Sequence, residues 1–174
     1  ADLQYEMTLA IYDIWYREQR ARGVQRLDAA LARYPLAGLP RLERPYAMLA
    51  VYYATAGRPD RARAMVAEMD RELNADEAPA MQYDRHNALG AIALAEGNAE
   101  VAIAEFRASD AGGCAVCPLP GIGRAFELGG RTDSALATYE KFLATPSMAH
   151  AGLDPVFRAG MYRRLGELFE ARGD

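Results

Sequence analysis

Two cysteines form the most suggestive chemical motif in this sequence. Cys114 and Cys117 have C-x-x-C spacing, and Pro118 follows directly. That spacing suits a metal chelate or a redox disulfide. A tetrahedral zinc site needs two more ligands, and the chain has no second C-x-x-C. Two interpretations stay open: a thiol-based redox or metal-responsive sensor through this pair, or two small side chains that pack a loop against a helix.

The two histidines do not complete a catalytic or metal-binding pattern. His86 and His150 lack partner spacing to each other and to the cysteines. We expect His86 to be packed as a structural residue and His150 to be solvated in the loop after Pro146. The motifs G-x-S-x-G, H-E-x-x-H, G-x-G-x-x-G and the P-loop do not occur. The sequence therefore predicts no enzyme activity and no bound cofactor or metal.

Composition narrows the class of protein further. The 174 residues include 20 basic and 24 acidic side chains, for a net charge of −4. There is no basic run, so we expect no nucleic-acid partner. Apolar runs are far shorter than the roughly 20 residues of a membrane span. The first residues lack both an initiator Met and a signal-peptide pattern, so we expect a fragment or processed form and a cytoplasmic location.

Phased small, aromatic and turn residues indicate internal repeats. Glycines that end amphipathic stretches stand 34, 40, 33 and 43 residues apart, at Gly23, Gly57, Gly97, Gly130 and Gly173. Other small residues keep fixed distances from them, at Gly90, Gly123, Gly166, Ala62, Ala102 and Ala135. Aromatic residues recur four positions before three of the turn glycines, at Tyr53, Phe126 and Phe169. The small residues allow two helices to cross closely, and the turn glycines allow left-handed C-caps.

Helix signals agree with this phasing. Pro59 suits the first turn of a helix, Asn98 and Thr132 are natural N-caps, and Asp154-Pro155 predicts the start of the last helix. We predict nine helices in a single domain covering 1–174, near 3–22, 24–34, 43–56, 59–73, 78–96, 99–108, 118–129, 132–144 and 155–172. They group into units 3–34, 43–73, 78–108 and 118–144, with a half-unit at 155–172.

The pattern resembles the tetratricopeptide repeat. The third unit reads His86…Leu89-Gly90…Gly97…Ala102…Phe106, and the fourth reads Leu119…Ile122-Gly123…Phe126…Gly130…Ala135…Tyr139. The first unit fits only at Tyr12, Trp15 and Gly23. The resemblance implies an all-α superhelix, or solenoid, of about four and a half helix pairs. Residues from 124 to 174 also resemble repeat arrays attached to bacterial signalling and regulatory proteins.

The resemblance also implies a protein–protein interaction module that binds a peptide or partner helix on its concave face. It places groove candidates at Asp13, Arg17, Arg44, Asp84, Asn87, Arg124, Arg163 and Glu167. One hypothesis is that Asn87, Arg124 and Arg163 donate to an acidic segment. The alternative is that these are solvated charges, some of them paired with each other. A third hypothesis is a structural spacer, or a homo-oligomer formed through the unpaired C-terminal helix.

Overall fold

The computed structural model describes residues 2–112 and 114–173. Within those ranges the protein is all-α, with nine α-helices, one π-helical segment at Tyr12–Tyr16 and no strand. The α-helices are α1 Leu3–Ile11, α2 Arg20–Arg33, α3 Tyr46–Thr55, α4 Pro59–Glu72, α5 Gln82–Ala95, α6 Ala99–Ala108, α7 Leu119–Leu128, α8 Thr132–Ala144 and α9 His150–Arg172. Short 3-10 turns occupy Leu36–Gly38, Arg41–Glu43, Ala78–Met81 and Ser109–Gly112.

Successive helices pack in pairs, and each pair packs on the next. The pairs are α1 with α2, α3 with α4, α5 with α6, and α7 with α8, while α9 packs on α8. Contacts between α3 and α5, between α5 and α7, and between α6 and α7 connect neighbouring pairs. One apolar cluster runs from α1 to α7, and a second joins the end of the 109–118 connection to α7, α8 and α9. None of the helices in the described ranges combines the length and apolar character needed to cross a bilayer.

Four of the five turn glycines adopt the predicted conformation. Gly57, Gly97, Gly130 and Gly173 have φ between 69° and 81°, the left-handed region that favours glycine. The prediction for Gly23 is wrong, because this residue is buried inside α2. A Cβ there would overlap the side chain of Ile14, so Gly23 allows a close helix approach and does not end a helix.

The first predicted helix, 3–22, is interrupted. After the π-helical segment the chain leaves the helix at residues 17–19, where Glu18 has φ of 55°. The backbone N–H of Gln19 donates to the carbonyl of Asp13 at 2.8 Å. This turn brings Ile14 against Gly23 of the following helix. Helix α2 therefore begins at Arg20, three residues before the glycine that was predicted to end the first helix.

The remaining helix starts follow the sequence signals in part. Pro59 is the first residue of α4, and the side chain of Asn98 accepts from the backbone N–H of Val101 at 3.3 Å, as predicted. Thr132 is the first helical residue of α8 and not its cap, because Arg131 holds the cap position. The predicted start at Asp154-Pro155 is wrong, since α9 begins at His150.

Small residues lie where neighbouring helices cross most closely. Ala62, Ala102 and Ala135 are fully buried. A Cβ on Gly90 would lie 2.7 Å from the ring of Phe106, and one on Gly123 would overlap Tyr139. Gly166 differs, because a Cβ there would meet nothing within 4 Å.

Candidate functional site

Two adjoining cavities form one cleft in the described part of the protein. Trp15, Arg20, Thr55 and Arg124 line both of them. The first has a volume of 490 Å³ and is rimmed by charged side chains, and the second has a volume of 360 Å³ and is lined mainly by apolar ones. We call them the charged half and the apolar half of the Trp15 cleft.

The cleft lies where the first and last parts of the chain meet. The Trp15 and Phe157 rings make an edge-on contact, with their centroids 5.6 Å apart. A Cβ on Gly160 would lie 3.2 Å from Trp15 Nε1, so the small residue lets α9 approach the indole closely. Arg163 Nη1 donates to Glu18 Oε1 at 3.1 Å across the same junction. The π-helical segment and α9 together therefore form one side of the cleft.

Arg124 stands between the two halves. Its Cζ lies 4.7 Å from the centroid of the Trp15 ring, which is a cation–π contact. It makes no ion pair or hydrogen bond with any residue that the structure describes. Burial lowers the pKa of Arg124 below its ordinary value, against the attraction of Tyr139 and Glu127 and with a small contribution from the charge of Arg20. Its nitrogens are not sealed from solvent, so they can donate hydrogen bonds to an anion that enters the cleft.

The acidic side chains of the charged half are already paired. Glu18 accepts from Arg163, and Glu127 accepts from Arg164 and from the hydroxyl of Tyr139. Arg20, like Arg124, has no ion pair or hydrogen bond to any residue in the described ranges. Arg20 and Arg124 therefore carry the uncompensated positive charge of the cleft.

The apolar half extends from Arg124 between the helices of the second, third and fourth pairs. Side chains from α3, α5, α6 and α9 form its wall, among them Val51, Tyr52, Leu94, Phe106 and Phe157. Phe106 is itself held between Gly90 and Gly121, whose hypothetical Cβ atoms would lie 2.7 Å and 2.6 Å from its ring. Close packing therefore defines this part of the wall.

Three of the groove candidates line the cleft. Arg124 borders both halves, Asn87 borders the apolar half and Arg163 borders the charged half. The structure brings these three residues together along one cleft, where Arg163 already forms an ion pair with Glu18.

The other groove candidates lie outside the cleft. Asp13 is completely buried, and its oxygens accept from Arg17 at 2.7 Å and from Arg26 at 3.2 Å. Burial by itself would raise the pKa of Asp13, but these arginines outweigh it, and the pKa lies below its usual value. Asp13 and Arg17 thus belong to an internal ion-pair network that connects the first two helices.

Arg44, Asp84 and Glu167 also lie elsewhere. Arg44 donates to the carbonyl of Leu39 at 3.1 Å and pairs with Glu72 at 2.7 Å, so it holds the connection before α3. Asp84 is half-buried in α5, and burial raises its pKa. Glu167 pairs with Arg164 at 2.6 Å on the surface of α9.

The cysteine pair is joined by a disulfide. Cys114 and Cys117 are bonded in the structure just before α7, and Cys117 lines the apolar half of the cleft. No group of three or more potential metal ligands occurs among the residues the structure describes. The motif therefore forms part of the cleft wall, and its two cysteines are in the oxidised, disulfide-bonded state.

The histidines occupy structural positions. His86 Nδ1 lies 2.7 Å from Glu105 Oε2 and is half-buried. The expectation that His150 is solvated is wrong, because it begins α9 with Nδ1 2.6 Å from Asp154 and its ring edge-on to Phe142.

Sequence reasoning missed three residues of the cleft. Trp15, the only tryptophan of the chain, was identified only as a position of the first repeat unit, and Arg20 and Glu18 were not selected. Arg20 has no acidic residue three or four positions away. The lack of an acidic residue at this spacing is the sequence signal that Arg20 has no ion-pair partner on its own helix.

No protein-family model matches the chain, and neither a curated protein nor a solved structure matches it. The resemblance to the tetratricopeptide repeat therefore stays a prediction based on the residues themselves.

Proposed function

We propose that this chain is a tetratricopeptide-like interaction module that binds an acidic segment of a partner protein in the Trp15 cleft. Arg124 carries the proposal, because it is a partly buried cation without an acceptor in the described structure. A carboxylate is the complementary group, since a guanidinium forks onto carboxylate oxygens with charge-assisted hydrogen bonds. Asn87 and Arg20, which also line the cleft, supply further donors.

The setting proposed for the module is a larger bacterial signalling or regulatory protein in the cytoplasm. The repeated helix pairs and the phased small residues support an array of this kind. Arrays of stacked helix pairs bind partners on an extended concave surface. The two halves of the cleft have volumes of only 490 and 360 Å³, so we expect a short segment and not a long extended chain.

Selection from a peptide library tests the partner class directly. A display library of random peptides is panned against the pure protein, and we expect Asp and Glu to be enriched among the retained sequences. A retained peptide is then titrated by fluorescence anisotropy against native protein, Arg124→Gln and Arg131→Gln. Arg131 is a matched control, because its Cζ lies 4.8 Å from the centroid of the Phe126 ring but it pairs with Glu100 on the surface.

Loss of one charge-assisted hydrogen bond predicts about tenfold weaker binding by Arg124→Gln. Arg131→Gln should bind as the native protein does. Retained peptides without acidic enrichment, or equal binding by the two variants, would refute an acidic partner held at Arg124.

The disulfide favours redox control as a second candidate function. Cys117 belongs both to the disulfide and to the apolar half of the cleft. In a cytoplasmic protein a disulfide is usually transient and redox-sensing. A dithiol reductant delivers two electrons and two protons to Cys114 and Cys117 and itself becomes a disulfide. We expect reduction to change the affinity for a retained peptide, and an identical affinity in both redox states would exclude this role.

The spacer or oligomer hypothesis is tested by the mass in solution. Within the described residues, α9 buries Met161, Leu165 and Leu168 against the second apolar cluster and exposes Tyr162. Light scattering at increasing concentration distinguishes a monomer from a homo-oligomer formed through this helix. A stable dimer that Tyr162→Glu dissociates would support that hypothesis.

A further inference from the structure

We propose that the Trp15 cleft is also a binding site for a small organic acid, a carboxylate joined to a compact apolar body. The carboxylate lies against Arg124 and Arg20, and the apolar body fills the cavity beyond them. Such a ligand is a different occupant from a partner segment. Because both would use Arg124, the two would compete for the cleft, but neither proposal depends on the other.

The polar end of this site is specified by charge. Arg20 and Arg124 are the cleft cations without an acceptor among the described residues, while Arg163 and Arg164 are neutralised by Glu18 and Glu127. The contact of Arg124 with Trp15 is a cation–π contact and not a hydrogen bond to an acceptor, so the N–H donors of Arg124 stay available. The two oxygens of a carboxylate can accept hydrogen bonds from both guanidinium groups, and its charge offsets one of the two cations.

The apolar end is specified by shape. The apolar half has a volume of 360 Å³, within the roughly 300–1,000 Å³ of small-molecule pockets. Its lining is mainly aliphatic and aromatic, and it directly adjoins Arg124. A few convergent polar groups beside an apolar cavity are typical of sites for amphipathic small molecules. An aromatic ring on a short chain is of suitable size.

Trp15 reports binding without a label, because it is the only tryptophan and lines both halves of the cleft. Pure protein is titrated with hydrocinnamate and, separately, with hydrocinnamamide, which keeps the apolar body and removes the charge. Tryptophan fluorescence and titration calorimetry are recorded in parallel. We expect a saturable response to the acid and at least about tenfold weaker binding of the amide.

Three variants locate the site. Arg124→Gln should weaken acid binding about tenfold, and the control Arg131→Gln should leave it unchanged. Ala95→Leu is the second test, because Ala95 is exposed, lines the apolar half and tolerates a larger side chain in a helix. Leucine there should weaken acid binding without removing a charge. Far-UV circular dichroism establishes that each variant is folded.

Equal binding of hydrocinnamate and hydrocinnamamide would refute the proposal that the site recognises a carboxylate. Unchanged acid binding by Arg124→Gln or by Ala95→Leu would refute the location. These titrations use pure protein and a small acid, so their failure leaves the peptide selection unaffected, and failure of the peptide selection leaves them unaffected.

Discussion

Replacing glycine by alanine at three equivalent repeat positions should change the stability of the protein in opposite directions. Gly90, Gly123 and Gly166 each stand seven residues before a turn glycine and lie inside α5, α7 and α9. In an isolated helix, Gly→Ala stabilises by about 1 kcal/mol at any of them. The structure predicts that tertiary contacts reverse the sign at two of the three.

The magnitudes follow from what the new methyl group would meet. At Gly90, ring atoms of Phe106 lie 2.7–2.9 Å from the Cβ position, and Gly121 blocks the ring's retreat on its other side. Ordinary carbon contacts are about 3.5–4.0 Å, so the ring must shift by nearly 1 Å. Overpacking costs about 1–3 kcal/mol, so after the helix gain we expect Gly90→Ala to lose about 1 kcal/mol of unfolding free energy.

Gly123 should be the more sensitive position. Its Cβ would overlap Tyr139, which is 1% exposed and donates its hydroxyl to Glu127, so this ring has little freedom to move. We expect Gly123→Ala to lose about 2 kcal/mol. Gly166 is exposed and its Cβ would meet nothing within 4 Å, so Gly166→Ala should gain about 0.5–1 kcal/mol.

Urea unfolding monitored by circular dichroism measures all three differences. The midpoint should fall for Gly90→Ala and Gly123→Ala and rise for Gly166→Ala, with unchanged slopes. The melting temperature should follow, by about 2–4 °C per kcal/mol for a chain of this size. A stabilised Gly123→Ala or a destabilised Gly166→Ala would refute the packing argument.

Three further predictions concern charges and the disulfide. Asp13→Asn should lose about 3 kcal/mol of unfolding free energy, because it breaks a buried ion-pair network. The pKa of Asp13 is lowered on folding, so its contribution is present above about pH 4 and disappears as the pH falls further. In acid, urea unfolding should therefore give the variant and the native protein the same stability. Burial and Asp28 raise the pKa of Tyr53 to about 12, so its contribution is complete below pH 10 and is lost between about pH 10 and 12; unfolding of Tyr53→Phe over this range should lack that loss. Reducing Cys114–Cys117 should lower the unfolding free energy by no more than about 2 kcal/mol, because the closed loop is short, and should preserve the helix content seen by circular dichroism.

Local signals in the sequence predict most of the helices. The predicted 99–108 coincides with α6, and Pro59, Asn98 and the turn glycines mark ends that the structure contains. These signals succeed because capping and left-handed turns depend on a few neighbouring residues. The all-α class follows as well, from 35 alanines against few β-branched residues.

The misplaced helix ends are explained by side-chain packing. The chain breaks at Glu18 and not at Gly23, because Gly23 is needed where α2 crosses Ile14. The last helix begins at His150, whose ring packs on Phe142 and whose Nδ1 lies 2.6 Å from Asp154. Neither contact is visible in the spacing of turn residues along the sequence.

By itself, the sequence determined the helices, their pairing and the small residues between them, since these depend on local backbone preferences and a regular apolar period. It also supplied Arg124 as a candidate. Only the tertiary structure decided that Arg124 lies over Trp15 without an acceptor in the described residues, while Asp13 and Arg44 are held in internal pairs. The physical reason is distance along the chain: Trp15 and Arg124 meet only because their helices pack together, and no local pattern records that contact.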